Sequence, residues 1–380
     1  MSWQESLENC ITSVDGLDSY LHLDDEEKEV LTKICGKHPV RVSRYYMSLI
    51  DGTNRNDPIR KLAIPHPHEQ SREGTYDTSG ERANTIMPGL QHKYRQTALI
   101  LATNACATYC RHCFRKRLVG VKTDEIIQDV DKACEYIRSH NEINNVLITG
   151  GDPFVLPTDQ IESLLKPLTV IPHLDFVRFG TRVPVTFPDR ILMGDGLVSM
   201  LKRYSTRNKR IYIVTQFNHE NEITDKSTRA VEQLQNAGTI VSNQTVLLKG
   251  VNDSVKQMTN LMRGLLRIGV LPYYVFQCRP VKRVKAHFQV PLIRGAKIVE
   301  DLNKNLDGHG KRFRYIMSHP TGKIEILGVH DGMFVFKYHQ AKNPDLIGKI
   351  FTREIDAKAA WLGDITAELD TRTASRVLQH

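Results

Sequence analysis

The sequence predicts an α/β fold, specifically a partial, open (β/α)6 TIM-like barrel with an N-terminal helical extension and a C-terminal extension. Three observations predict it. Apolar or β-branched runs recur at 97–103, 145–149, 176–183, 210–217, 239–248 and 270–278. Helical patterns lie between them, which implies a parallel sheet with right-handed crossovers. The unusual motifs all follow strands: cysteines after the first, Gly150-Gly151-Asp152-Pro153 after the second, Asn218-His219 after the fourth. Chemistry gathers at the C-terminal ends of strands in such folds.

The elements follow in order. Residues 1–95 read as a helical and extended region. Asp24 precedes the periodic run Asp25–Cys35, closed by Gly36, which fits a capped helix. Residues 54–85 are rich in Pro, His, Gly and Arg and read as one long extended segment. The barrel core occupies 96–305. Its first helix shows a face of Ile126, Ile127, Val130, Ala133, Cys134 and Ile137. A second helix runs over 222–237 and ends at Gly238. A third carries Val255, Met258, Leu261, Met262 and Leu265 before Gly269, a glycine where a helix C-terminus wants one. Residues 306–380 read as a less regular tail.

Composition narrows the class. The hydrophobic fraction of 40% and charged fraction of 25% are those of an ordinary globular protein. No stretch approaches a membrane span, and the polar, acidic start is unlike a signal peptide, so a cytoplasmic location is expected. The formal charge is +9, but the basic residues are scattered, and basic clusters also suit phosphates and carboxylates. Nucleic acid is not expected as a partner. The 7 cysteines include three within eight positions, which argues for metal rather than a disulfide framework.

Those three are Cys106, Cys110 and Cys113. Three thiolates at this spacing can hold three irons of a 4Fe–4S cubane and leave the fourth iron open. An open iron can chelate the amino and carboxylate groups of S-adenosylmethionine (SAM) and deliver one electron to its sulfonium, which releases a carbon radical. Zinc would want a fourth ligand; His112 is present, but its neighbours in sequence are already ligands. The chain is therefore read as a radical SAM enzyme. Gly150, Gly151 and Asp152, one βα unit later, look like the segment that receives the SAM amino group.

Further motifs resemble one family, the pyridoxal phosphate (PLP)-dependent lysine 2,3-aminomutases. They are Asp57-Pro-Ile-Arg-Lys61, Gly89-Leu-Gln-His-Lys-Tyr94, Leu147-Ile-Thr-Gly-Gly-Asp-Pro153, Gly180-Thr-Arg-Val-Pro184, Phe217-Asn-His219, Gly250-Val-Asn-Asp253 and Pro272-Tyr-Tyr274. The resemblance runs from about residue 55 to 325. It implies a cluster, SAM and PLP, and movement of an α-amino group to the β-carbon. It also places Lys323 as the Schiff-base lysine within the C-terminal extension, Lys93, Tyr94 and Arg95 at the PLP phosphate, and Arg115 at the substrate α-carboxylate. Gln216, Asn218, His219 and Gln244 join the SAM set, with Gln216 standing where a His is common. A further family arginine falls at Thr97, so the phosphate contacts differ.

The substrate pocket departs from the lysine enzymes. Two aspartates that hold the lysine ammonium are absent; Arg279 stands at one position and Ser318 or His319 at the other. Arg279 or Lys282 would instead pair with a carboxylate, so an acidic substrate such as L-glutamate is favoured over L-lysine. The family's cysteine-built zinc site is also missing, with Ser254 at its first position and no cysteine after Cys278, so zinc is not expected. The alternatives are conversion of L-lysine to β-lysine, a radical SAM enzyme modifying RNA or protein without PLP, and a non-enzymatic iron–sulfur protein. A one-electron donor such as flavodoxin or ferredoxin and a homo-oligomer are the expected partners.

Overall fold

A computed structural model describes residues 2–365; the rest of the C-terminal extension, 366–380, lies outside the described residues. Among the described residues twelve strands form one sheet in strict chain order. They are β1 (Thr85–Met87), β2 (Leu90–Tyr94), β3 (Thr97–Thr103), β4 (Asn145–Gly150), β5 (Phe176–Gly180), β6 (Arg210–Thr215), β7 (Ile240–Leu247), β8 (Leu271–Gln277), β9 (Arg314–His319), β10 (Gly322–His330), β11 (Met333–Ala341) and β12 (Ile350–Glu354). Neighbours from β3 to β9 are parallel. The flanks β1-β2-β3 and β9-β10-β11-β12 are antiparallel. Residues of every strand from β2 to β11 line one cavity of about 440 Å³. The sheet therefore curls into an open barrel around it, and Lys93 on β2 donates to the His319 carbonyl on β9 at 2.9 Å.

The curl explains the burial pattern. Parallel strands buried on both faces usually read as unbroken apolar runs. Here β5 and β7 alternate: Val177, Phe179, Val241 and Leu247 pack outward into the core, while Phe176, Arg178, Gln244 and Val246 face the cavity. β5 stops at Gly180 rather than running on to Val183. The Asp152 carboxylate takes the Thr181 hydroxyl at 2.6 Å and the Arg182 amide at 2.7 Å, and a short helix, Val183–Thr186, starts there.

The helix Asp25–Cys35 forms as predicted, with Asp24 and Glu27 closing a capping box. The helix Val255–Arg267 buries the expected apolar face; the helix expected over 222–237 starts only at Asp225, because Glu220–Glu222 form a 3-10 turn and Thr224 caps the helix. Three further expectations change. The segment 54–85 is not extended throughout, because Asp57 caps a helix at Pro58–Ala63 and His66 caps a 3-10 turn at Pro67–Gln70. The first barrel helix begins only at Val130, capped by Asp129. Ile127 instead donates its amide to Leu101, and Gly89 packs so closely on it that a Cβ would lie 2.1 Å from the Ile127 nitrogen. Finally, 314–354 is no irregular tail: it supplies β9 to β12, with β10 and β11 joined through Asp331-Gly332, both at positive φ. No helix among the described residues is long and apolar enough to cross a membrane.

Candidate active site

The cavity has a cysteine end and a lysine end. The first is built by the loop after β3. Tyr109 and Arg111 give their amides to the carbonyls of Arg41 and Leu62, each at 2.8 Å. The Arg111 guanidinium and the Lys116 ammonium converge on fully buried Glu69, at 2.6 and 2.7 Å. Together the two cations hold its carboxyl down at about 2 against the opposing effect of burial. Gly150 and Gly151 let the loop lie on the end of β4, since a Cβ at either would sit within 2.3 Å of the Thr103 or Ala105 carbonyl.

On this frame Cys106, Cys110 and Cys113 are unpaired, half-buried and on the cavity wall. Among the described residues, only a histidine trio brings three metal-type donor atoms within 4.8 Å of one another. The cysteine sulfurs are spread wider than a single ion's ligands, as a multi-iron cluster requires. Burial pushes the Cys113 thiol up to about 11 and raises that of Cys106 well above its ordinary value, so protons must leave when metal binds. The donor set fits a 4Fe–4S cluster. His112 also lines this end: its Nε2 faces the Gln216 amide nitrogen at 2.9 Å, and its Nδ1 is buried without a partner among the described residues. Arg182, which the sequence reading did not single out, reaches Cys110 Sγ at 2.6 Å and Glu222 at 2.5 Å.

The expected SAM residues divide. Gly150, Gly151, Asp152, Gln216 and Gln244 line the cavity beside the cysteines. Asn218 and His219 lie behind the wall: Asn218 Oδ1 accepts the Val246 amide at 2.9 Å, and His219 caps a turn through Nδ1. Asp152 is consumed by Thr181, Arg182 and Phe154, so its carboxylate shapes the turn rather than facing a ligand.

The lysine end is built by β2, β5, β8, β9 and β10. Lys323 on β10 pairs in register with Ser318 on β9 and sits 4.6 Å from the Tyr274 ring centroid. Burial lowers its ammonium to about 7, with Arg178, Arg279 and Lys93 adding repulsion. A buried amine of this kind is the nucleophile a carbonyl cofactor needs. Lys93 is lowered to about 8, again mainly by burial, and Tyr94 is raised to about 12. Arg178, also unforeseen, lines the wall; its one side-chain partner is Asn145 at 2.6 Å, and its Nε is buried without a partner among the described residues. Asn145 meets Thr97 at 3.3 Å, so Arg178 stands beside the position where the resemblance led one to expect an arginine. Buried amine and nearby cations fit a phosphorylated aldehyde such as PLP. The alternation of β5 could have revealed Arg178, since it shares a face with Phe176 and Gly180.

Other expected residues separate in the same way. Arg279 lines the cavity, stacks 4.0 Å from the Phe114 ring centroid and donates to Ser79 and Ser318 hydroxyls at 2.9 Å. Among the described residues no carboxylate is bonded to it. Lys282 is off the wall, over the Tyr76 ring. Arg95 is exposed in the β2–β3 turn, and His319 turns its ring to Thr321. Arg115 is on the wall but already bonded to Glu81, at 2.9 Å through both Nε and Nη2, with Arg117 on the other carboxylate oxygen. Glu81 comes from the irregular loop before β1, where no local pattern announces it.

Comparison with known proteins places this arrangement. The family model for the radical SAM superfamily matches residues 100–262. The chain is 43% identical, over 90% of its length and 92% of the relative's, to a protein of Aquifex aeolicus (strain VF5) provisionally named L-lysine 2,3-aminomutase. It is 38% identical to the L-lysine 2,3-aminomutase of Clostridium subterminale, over 81% of this chain and 73% of that one. It is 40% identical to the glutamate 2,3-aminomutase of Clostridioides difficile (strain 630), over 84% and 74%.

Proposed function

The chain belongs to the radical SAM aminomutases of the lysine and glutamate 2,3-aminomutase type, and on that premise we propose that it is PLP-dependent and acts on an acidic amino acid, L-glutamate foremost. Membership in this family implies a 4Fe–4S cluster and SAM. One observation carries the choice of substrate. Among the described residues only two acidic ones line the cavity, Glu81 and Asp152, and both are fully engaged within the protein. Arg279 is the guanidinium on the wall that bonds to hydroxyls alone.

A lysine side chain would thus bring an ammonium to a pocket with no free carboxylate among the described residues and a cation already there. Leaving a charge buried and unpaired costs on the order of several kcal/mol. A glutamate side chain would satisfy Arg279 by a bidentate pair, which a guanidinium favours.

The roles follow from position. Cys106, Cys110 and Cys113 hold the cluster, and Gly150, Gly151, Gln216 and Gln244 form the walls against SAM. Lys323 carries PLP. Lys93, Tyr94 and Arg178 surround its phosphate, with Arg178 serving where Thr97 cannot. When bound, these groups supply hydrogen-atom abstraction from an unactivated carbon and a C=N bond across which nitrogen migrates. The protein orients the substrate between Arg115 and Arg279, so that its β-carbon faces the cysteine end. Arg115 keeps Nη1 turned to Thr149 and Gly150, at 3.3 and 3.5 Å, and shares its charge between Glu81 and the α-carboxylate. Reduction of the cluster draws on a one-electron donor such as flavodoxin or ferredoxin.

The test is an anaerobic assay of the reconstituted enzyme with SAM, PLP and a reductant, offering glutamate and lysine together. β-Glutamate is the expected product. Formation of β-lysine with glutamate untouched overturns the acidic-substrate reading, and turnover without PLP overturns the cofactor.

A further inference from the structure

Outside the cavity, three histidines converge from two segments. His66 caps the 3-10 turn Pro67–Gln70 and His68 lies within it, while His287 belongs to the short helix Lys285–Phe288 that follows β8. One ring nitrogen from each lies within 4.8 Å of the other two. His68 Nδ1 and His287 Nδ1 are 3.2 Å apart. Two nitrogens each about 2.0–2.1 Å from one tetrahedral ion are separated by about 3.3 Å. His66 uses Nδ1 to accept the His68 amide, which leaves its Nε2 for a ligand. His287 is buried, and its Nε2 has no partner among the described residues.

We propose that His66, His68 and His287 form a binding site for one divalent transition-metal ion, separate from the cluster. The donors are imidazoles, which select zinc, cobalt, nickel or copper over magnesium and calcium. Glu69 is adjacent but takes no part, since Arg111, Lys116 and the His66 amide occupy its oxygens. Binding turns the His66 ring out of its stack on His287, where the centroids are now 4.2 Å apart. Exposed His68 leaves the fourth position open to water. These donors differ from the cysteine set whose absence argued against zinc.

The ion braces the cysteine loop from outside. It ties the turn that carries Glu69, and so Arg111 and Lys116, to the helix whose Phe288 ring meets His112 edge-on at 5.9 Å. It touches nothing on the cavity wall, so its effect is on the loop's stability.

The experiment uses enzyme with its cluster in place, so that the cysteines are occupied. Co²⁺ or Zn²⁺ is added, excess is removed by desalting, and metals are counted by mass spectrometry alongside the visible spectrum of bound Co²⁺. One ion per chain beyond the iron is expected, with a rise in melting temperature. His68→Ala removes an exposed side chain and leaves the fold intact. It should weaken Co²⁺ binding at least about tenfold and abolish the rise in melting temperature. His66→Gln should do the same, and the pair decides the matter even where a His287 variant fails to fold. Absence of retained metal, or metal that persists in both variants, overturns the proposal. So does metal lost on replacing the three cysteines but kept in His68→Ala.

Discussion

The two ends of the cavity treat charge in opposite ways. At the cysteine end every buried cation has a protein anion: Arg111 and Lys116 share Glu69, Arg182 meets Glu222, and Arg115 and Arg117 share Glu81. At the lysine end Lys93, Arg178, Arg279 and Lys323 bond, among the described residues, to carbonyls, an amide oxygen and hydroxyls, or to no polar partner. Buried charges are tolerated when paired. The first end is therefore a finished frame for thiolates, while the second is complete only when anions arrive. A cofactor phosphate and an acidic substrate are anions of that kind.

The comparison can be broken most severely at the frame. Replacing Cys110 with Ala removes a cluster ligand, and reductive cleavage of SAM should fall below detection; turnover near the parent rate would show that the cysteines do not hold the catalytic cluster. Glu69→Gln leaves Arg111 and Lys116 buried without a counter-charge. It should cost about 3–5 kcal/mol in a urea unfolding experiment, and a loss under about 1 kcal/mol would mean the network is not structural.

At the other end the effects should fall on binding rather than folding. Lys323→Ala should abolish borohydride-fixed pyridoxyl on the peptide spanning 314–330 while the fold is kept. The wild-type attachment rate should rise with pH through about 7, because the lowered ammonium is protonated below that value and a free nucleophile above it. A rate that climbs only near the ordinary lysine range would show that burial does not tune the amine. Arg178→Met should weaken PLP binding by about tenfold, the worth of one charge-assisted hydrogen bond. Arg95→Ala, exposed and off the wall, should change PLP affinity less than about twofold, and a larger loss would return it to the phosphate site.

The barrel strands and the cysteine loop were legible in the sequence, but the contrast in charge pairing was not, and for a physical reason. Strand and helix periodicity is local, so β3 was placed to the residue and the cysteine spacing could be read directly. The flanking strands were missed although Asp331-Gly332 is a strong hairpin signal, because β9 joins the barrel only through its long-range register with β8. Glu69 and Glu81 were missed because a buried ion pair depends on segments distant in sequence, whereas Arg178 was within reach of the local alternation of β5. Arg279 could be singled out from the pocket pattern, but that it lacks a carboxylate partner is visible only in three dimensions.

The central claim is that Arg279 selects the substrate by its free charge. The direct measurement is kcat/KM for L-glutamate and L-lysine in the wild type and in Arg279→Asp, with PLP occupancy checked in both. The charge reversal should lower the glutamate value at least about a hundredfold, since it replaces a buried ion pair by repulsion, and should leave PLP bound. Glutamate turnover that survives the reversal within about threefold, or a wild type that prefers lysine, would contradict it.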